Sequence, residues 1–289
     1  MESSTVLDVS PTAVAAVGGH HMLIVGDARD ARETAVAVHG ALPPLDVATA
    51  ADVTRCRSAA GLPFVADPRP PLRAPAASTT MVTMLGGGGA TMRPGEVALA
   101  HGGILFLGDL PEFSAMVLDG LRQPFDEGII RVSRGTATVE FPARVQVVAS
   151  MLACPSGCDG VCGCSAAAKA RWRRRVTGPL MDRFDLRVGG DDVTGPVGPV
   201  DAGHAAAAAR GCRSVDIPVD RLDEFAPMTT GGTQFAHRAL QEGRITARGL
   251  VRLRRVARTA LDLQGRPADP IDIDAAEAAL NLITIPKGV

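Results

Sequence analysis

The sequence predicts an α/β fold with a mainly parallel sheet and a helical C-terminal segment, and three observations carry that prediction. Two short apolar runs, Ile104–Leu107 and residues 145–149, are bounded by turn or charged residues, and a helix-like segment at residues 111–121 lies between them. A third run, residues 20–26, leads through a turn into the helical pattern of residues 31–39. Past residue 204 the apolar positions recur at helical spacing over residues 234–242, 247–263 and 275–282, which gives a small bundle. Strand–helix–strand order of this kind places the strands in parallel.

Composition narrows the function without choosing it. A chain of 289 residues with 46% hydrophobic residues has ample material for a core and room for about two modules. The formal charge of −1 supplies no global attraction to nucleic acid or membrane, so an anionic partner would need a local basic patch. No run approaches the roughly 18 apolar residues of a membrane span, and the first residues, MESSTVLDVS, lack a basic-then-apolar leader pattern, so a cytoplasmic protein without a membrane partner is expected. With one Trp, no Tyr and 3% aromatic residues, the chain offers no stacking platform for single-stranded nucleic acid.

The first strand–turn–helix is where a phosphate-binding loop belongs. Such a loop needs glycines so that backbone N–H groups wrap a phosphate, a Lys for the outer phosphates and a Ser or Thr for magnesium. On the pattern G-x-x-x-x-G-K-[ST], Gly26 takes the first place, but Ala31, Arg32 and Glu33 take the other three, with Thr34 one place late. Asp27 and Asp30 add two carboxylates where a triphosphate would lie. Two readings stay open: a strand–loop–helix with no ligand, and nucleotide binding through Gly26, Arg32 and Thr34.

Residues 41–78, rich in Pro and Ala, read as a long surface excursion with a short helix near residues 48–60. The run of four glycines from Gly86 reads as a loop, since no Lys-Ser/Thr pair follows it. Residues 125–141 alternate as a hairpin turning near Gly135, with Arg131 and Arg134 either solvated or able to meet a phosphate backbone. Glu112 and Asp119 read as solvated helix residues.

Cys154, Cys158, Cys162 and Cys164 then fall within eleven residues. Four thiolates so placed are able to close on one Zn²⁺, although the spacing is not the C-x2-C pairing of established zinc modules, and free thiols are the alternative. The basic run KARWRRR, residues 169–175, reads either as a contact for nucleic acid or an acidic neighbour, or as a solvated helix face. Residues 189–203 are a linker by composition, which divides the chain into a core at 1–188 and a helical segment at 204–289.

Six segments in order carry a resemblance: RPGE at 93–96, AHGGILFL at 100–107, LPEF at 110–113, LRQP at 121–124, FPAR at 141–144 and GPLMDRFDL at 178–186. The chain resembles the AAA+ ATPases of the magnesium-chelatase family, most closely their bacterial ComM-like (YifB-type) branch, over residues 17–281. The resemblance implies a P-loop NTPase (AAA+) three-layer core, a C-terminal helical lid, ATP and Mg²⁺ as cofactors, and partners that are ring subunits, either self or an intact paralogue. It also implies porphyrin metal insertion or, for the ComM-like branch, DNA branch migration. The protease-like N-terminal domain typical of that branch has no counterpart in these residues. A related cysteine-rich loop occurs in the family.

Site residues follow position by position. Where the family has an acidic pair after the apolar strand, this chain has Gly108 and Asp109, so Asp109 stands in the place of the catalytic Glu. Leu152 replaces the Asn that senses the γ-phosphate, and Ala76 and Ala77 replace two histidines. Arg183 matches the arginine that reaches a neighbouring subunit's ATP site, and Arg255 aligns with the sensor arginine of the lid, with Arg258 as the near alternative. The expected function is that of a catalytically impaired ring subunit or regulator. An active ATP-dependent motor with an altered site, or a scaffold without nucleotide, are the alternatives.

Overall fold

The structure is a computed structural model that describes residues 9–64, 67–88, 91–135, 137–158, 162–176, 178–193 and 197–284, without the side chains of Arg134 and Arg173. The chain opens with α1 (Pro11–Gly18), β1 (Met22–Val25), α2 (Ala28–Gly40), α3 (Val47–Ala59), β2 (Leu72–Arg73), α4 (Met81–Leu85), β3 (Gly86–Gly87), β4 (Arg93–Pro94), α5 (Glu96–Leu99) and β5 (Ile104–Leu107). It continues with α6 (Ala115–Gly120), α7 (Arg122–Glu127), the hairpin β6 (Ile129–Arg134) and β7 (Ala137–Pro142), then β8 (Gln146–Met151), α8 (Ala166–Arg174), α9 (Gly178–Met181) and β9 (Leu186–Gly189). The last helices are α10 (Asp201–Arg210), α11 (Leu222–Phe225), α12 (Thr230–Gln241), α13 (Ala247–Leu263) and α14 (Ile273–Ile283). No described helix is long and apolar enough to cross a membrane.

Two compact units form, and they do not follow chain order: one comprises residues 25–183, the other residues 1–24 together with 184–289. In the first, β2, β5 and β8 run parallel, with Leu72 opposite Ile104 and Ile104 opposite Gln146. Every residue of β5 and β8 is buried, which is why both read as mainly apolar runs rather than alternating ones, with Gln146 and Ser150 the buried polar residues of β8. Truncating a residue such as Leu105 would cost about 2–5 kcal/mol. Gly103 lets β5 lie against the segment before β2, since a Cβ there would meet the Pro71 carbonyl oxygen at 1.9 Å. The helix α2 packs on β5 and β8.

In the other unit α13 is the hub, packed by α1, α10 and α14. Thr246 caps it by accepting from the Gly249 N–H, and its core side carries Leu253, Val256, Ala257, Ala260 and Leu261. Within this unit β9 lies beside β1. His20, fully buried, shares a hydrogen bond of 2.9 Å with the Thr259 hydroxyl. Asp185 stands 3.5 Å from His20 and 3.7 Å from Arg252. Burial pushes the Asp185 carboxyl upward, but His20, His21 and Arg252 together hold it below the usual range.

Three expectations change. The helix predicted from residue 31 begins at Ala28, because Asp27 caps it. The single helix expected over residues 111–121 is a 3₁₀ turn, Leu110–Glu112, then an extended Phe113, then α6 with Ser114 as its cap. The expected linker at 189–203 carries the end of β9, a 3₁₀ turn at Asp191–Val193 and the start of α10, with residues 194–196 outside the described ones.

Candidate functional site

The candidate site in the unit of residues 25–183 lies where β5 and β8 end and α2 begins. Only Gly26 and Asp27 separate the end of β1 from α2. The Gly26 N–H donates to the Met151 carbonyl at 3.0 Å. Asp27 is extended (φ −64°, ψ 140°), and its carboxylate accepts from the Arg29 N–H at 2.7 Å while its carbonyl accepts from the Ala31 N–H. A helix N-terminus offers free N–H groups and a positive dipole end to an anion. Here the anion beside them is the chain's own carboxylate. Thr34 is buried and its hydroxyl donates back to the Asp30 carbonyl at 2.9 Å, a turn-internal bond. Arg32 is exposed on the second turn of α2.

Asp109 is the one non-glycine described residue with positive φ, at φ 53° and ψ 53°. Its N–H donates to the hydroxyl of buried Ser150 at 3.0 Å, which ties the exit of β5 to β8. Burial pushes its carboxyl above the usual range, and the charges of Asp27 and Glu112 push the same way. Gly108 leaves limited room for a side chain, since a Cβ there would lie 3.2 Å from the Phe106 ring and 3.9 Å from Ala28. Carboxylates therefore gather at this end of the strands, and the cation among their named neighbours is Arg175, 3.4 Å from Glu112.

The arginines are held. Arg183 donates through Nε to Asp126 at 2.9 Å, with further short bonds from its terminal nitrogens to Asp126 and to the Pro179 carbonyl. Its side chain is 17% exposed, so Arg183 is latched within its own unit. Arg131 on the hairpin is neutralised by Glu127 at 2.5 Å and Glu140 at 2.8 Å. In the basic run, Arg175 reaches Glu112 at 3.4 Å and stacks over Trp172. In the unit of residues 1–24 and 184–289, Arg255 donates to the Ile217 carbonyl, at 3.1 Å through Nε. Arg258 is buried and fully engaged: it donates to Asp262 at 2.9 Å, to the Asp269 carbonyl at 2.7 Å and to the Arg266 carbonyl at 2.5 Å. Arg258 is thus a framework residue, and Arg255 is the one of the two with a single backbone partner.

The four loop cysteines come together, their sulfur atoms all within 4.8 Å of one another. The Cys158 N–H donates to the Cys154 sulfur at 3.3 Å, which draws that thiol down to about 6, while hydrogen bonding to Cys154 and Cys162 pushes Cys158 up to about 12. Cys162 is drawn down by the Cys164 N–H. Outside the loop, buried Cys56 packs with Ala98 and Phe141, and burial raises its thiol to about 11.

Residues 9–195 match the family described as magnesium chelatase, subunit ChlI, and residues 199–282 match that subunit's C-terminal family. The chain belongs to the magnesium chelatase subunit ChlI family. Among ChlI-family relatives, an uncharacterised protein of Mycobacterium tuberculosis (strain H37Rv) is 35% identical over 291 residues, covering 91% of this chain and 57% of its own length. The competence protein ComM of Haemophilus influenzae is 32% identical over 278 residues, 87% of this chain and 53% of ComM. YifB of Escherichia coli K12, itself uncharacterised, is 37% identical over 178 residues, 60% of this chain and 35% of YifB. The chain thus spans about half, or less, of the length of these relatives. A full-length MCM homologue from Methanopyrus kandleri shares the fold at a TM-score of 0.55 and 15% identity, covering 94% of this chain and 53% of its own. The ChlI-family core is accordingly an α/β P-loop NTPase (AAA+) fold with a mostly parallel central sheet.

Sequence reasoning missed Asp126, Ser150 and Asp262. Asp126 follows directly on the LRQP segment, so an acidic residue beside a family motif was the available signal. Nothing in the sequence pairs it with an arginine 57 positions away.

Proposed function

We propose that this chain is a ChlI/ComM-like AAA+ subunit whose own ATP site is altered and which acts as an impaired ring member or regulator. The observation that carries the reading is the N-terminus of α2. The Asp27 carboxylate takes the Arg29 N–H and so sets a negative charge where a phosphate would lie, and the segment aligned with the phosphate loop, from Ala28 onward, is already helix. On this arrangement a magnesium triphosphate does not fit: Thr34 is turned back on its own helix, Gly108 offers no ligand, and the carboxyls of Asp27 and Asp109 face the same space. Arrangements that place charge against a transferring phosphoryl group account for much of its catalysis, and here the polarity is reversed.

Arg183 supports a role at another subunit's site, once freed from Asp126. Arginine fingers supplied in trans are worth about 10³ to 10⁵ in rate. The partner in this reading is an intact ChlI-family paralogue in a shared ring, and DNA is that ring's substrate if the ComM-like branch is the right comparison.

The test is calorimetry with ATP, with and without Mg²⁺, followed by steady-state phosphate release. Binding weaker than about 1 mM and turnover at background are expected. Micromolar, Mg²⁺-dependent binding, or turnover that disappears in Asp109→Ala, would instead establish an active site that uses Arg32, Thr34 and Asp109.

A further inference from the structure

The segment between β8 and α8, residues 152–165, reads LACPSGCDGVCGCS. Apart from Leu152 and Val161 it has no large apolar side chain, so burial alone gives it little reason to hold one shape. Its four cysteines nevertheless converge, with every sulfur within 4.8 Å of the others and Cys158 and Cys164 at 4.0 Å. A tetrahedral zinc with Zn–S bonds of about 2.3 Å sets its sulfurs about 3.8 Å apart. The observed spacing thus needs a contraction of no more than about 1 Å to meet that geometry. A disulfide requires about 2.05 Å, so Cys158 and Cys164 would have to close by nearly half their separation, and all six cysteines are free thiols.

The surroundings suit a structural site. Cys154 is 2% exposed and anchors the cluster to the end of β8. Cys164 immediately precedes Ser165, the cap of α8, so the cluster sits at the positive end of a nine-residue helix. That helix carries half-buried Lys169 and exposed Arg171 and Arg174 and returns to the loop's start, where the Trp172 indole N–H donates to the Leu152 carbonyl at 2.8 Å. Four thiolates around a divalent cation carry a net charge of −2, which these cations offset.

We propose that Cys154, Cys158, Cys162 and Cys164 form a closed, structural tetrathiolate site for one Zn²⁺, which clamps the chain leaving β8 to the basic helix α8. All four positions are filled by protein, so the ion would hold no open coordination site and take no part in catalysis. The site stands apart from the nucleotide reading, and either one stands if the other fails.

The test uses the full chain, purified reduced and without chelator. Elemental analysis is expected to give about one zinc per chain, and Co²⁺ substitution to give the thiolate charge-transfer and visible bands of a tetrahedral sulfur site. Cys158→Ser is expected to lower metal content to below about a third, while Cys212→Ser, outside the cluster, leaves it unchanged. Should Cys158→Ser fail to fold, alkylation of the unmodified protein decides: the four loop thiols are protected until chelator is added. Fewer than about 0.2 zinc or cobalt per chain after reconstitution, or immediate alkylation of all four thiols in excess zinc, would overturn the proposal.

Discussion

Removing the carboxylate of Asp262 probes the framework that holds Arg258 and Arg210. Asp262 is fully buried and accepts from two guanidinium groups, Arg258 at 2.9 Å and Arg210 at 2.9 Å, whose side chains are only 1% and 7% exposed. Burial already pulls Arg258 below the ordinary guanidinium range, and Asp262 is the main group opposing that pull. In Asp262→Ala both cations lose their counter-charge in a place that water does not reach. Breaking one buried pair costs roughly 3–5 kcal/mol, and here two cations share one anion, so the loss belongs at the top of that range. Arg255→Ala, by contrast, removes a partly exposed arginine bound to a single carbonyl and should cost about 1 kcal/mol. Urea denaturation followed by far-UV circular dichroism measures both. A loss below about 1.5 kcal/mol for Asp262→Ala would refute the claim that this network, rather than apolar packing alone, holds α13 in place.

At Asp109 the folded-state carboxyl titrates above its unfolded value, so its contribution favours folding at acid pH and is lost as pH rises through the folded value. Asp109→Asn should therefore stabilise the protein at neutral pH and have no such effect below about pH 4, while Asp109→Ala should fall short of Asn by about 1–2 kcal/mol because alanine resists the left-handed backbone; equal melting temperatures for the two variants would contradict this. For His21, burial lowers the imidazole to about 4, so the neutral form is the folded one. The stability this confers is complete above the unfolded value of about 6.5 and is lost as pH falls from there towards 4, and His21→Gln should flatten the stability profile in that window. The Arg183–Asp126 pair should show a coupling of about 0.5–1 kcal/mol in a double-mutant cycle, weakened by salt, given that Asp126 is 55% exposed. If Arg183 acts in trans, Asp126→Asn should also enhance the effect on an intact relative's ATPase rate that Arg183→Ala abolishes.

The parts of the fold that were legible in the sequence are those where burial alone sets the residue pattern. β5 and β8 are covered on both faces, and α13 keeps one apolar stripe over seventeen residues. The loop cysteines were legible as a group because they are neighbours in sequence. Asp27 was ambiguous, since a carboxylate before a helix reads equally as a deterrent to phosphate and as a cap, and only its extended backbone and its 2.7 Å bond to the Arg29 N–H identify it as the cap. Asp126 and Asp262 were illegible for a different reason. Asp126 acts on a partner 57 residues away and Asp262 on one 52 away, spacings that leave no periodic trace, while the second partner of Asp262, Arg258 at i,i+4, reads in sequence as an ordinary surface pair of a helix. The units themselves escaped a linear reading because residues 1–24 join the unit formed by residues 184–289.

The bond from Trp172 to the Leu152 carbonyl has a practical side. Trp172 is the one tryptophan among 289 residues, it is 8% exposed, and its indole N–H is tied to the residue that follows β8. The protein therefore carries a built-in optical probe at the junction of β8 and its thiol loop. A buried, hydrogen-bonded indole that becomes solvated changes its emission colour, so loosening of this junction by heat, oxidation or a binding partner would be visible in unlabelled protein at a single, known position.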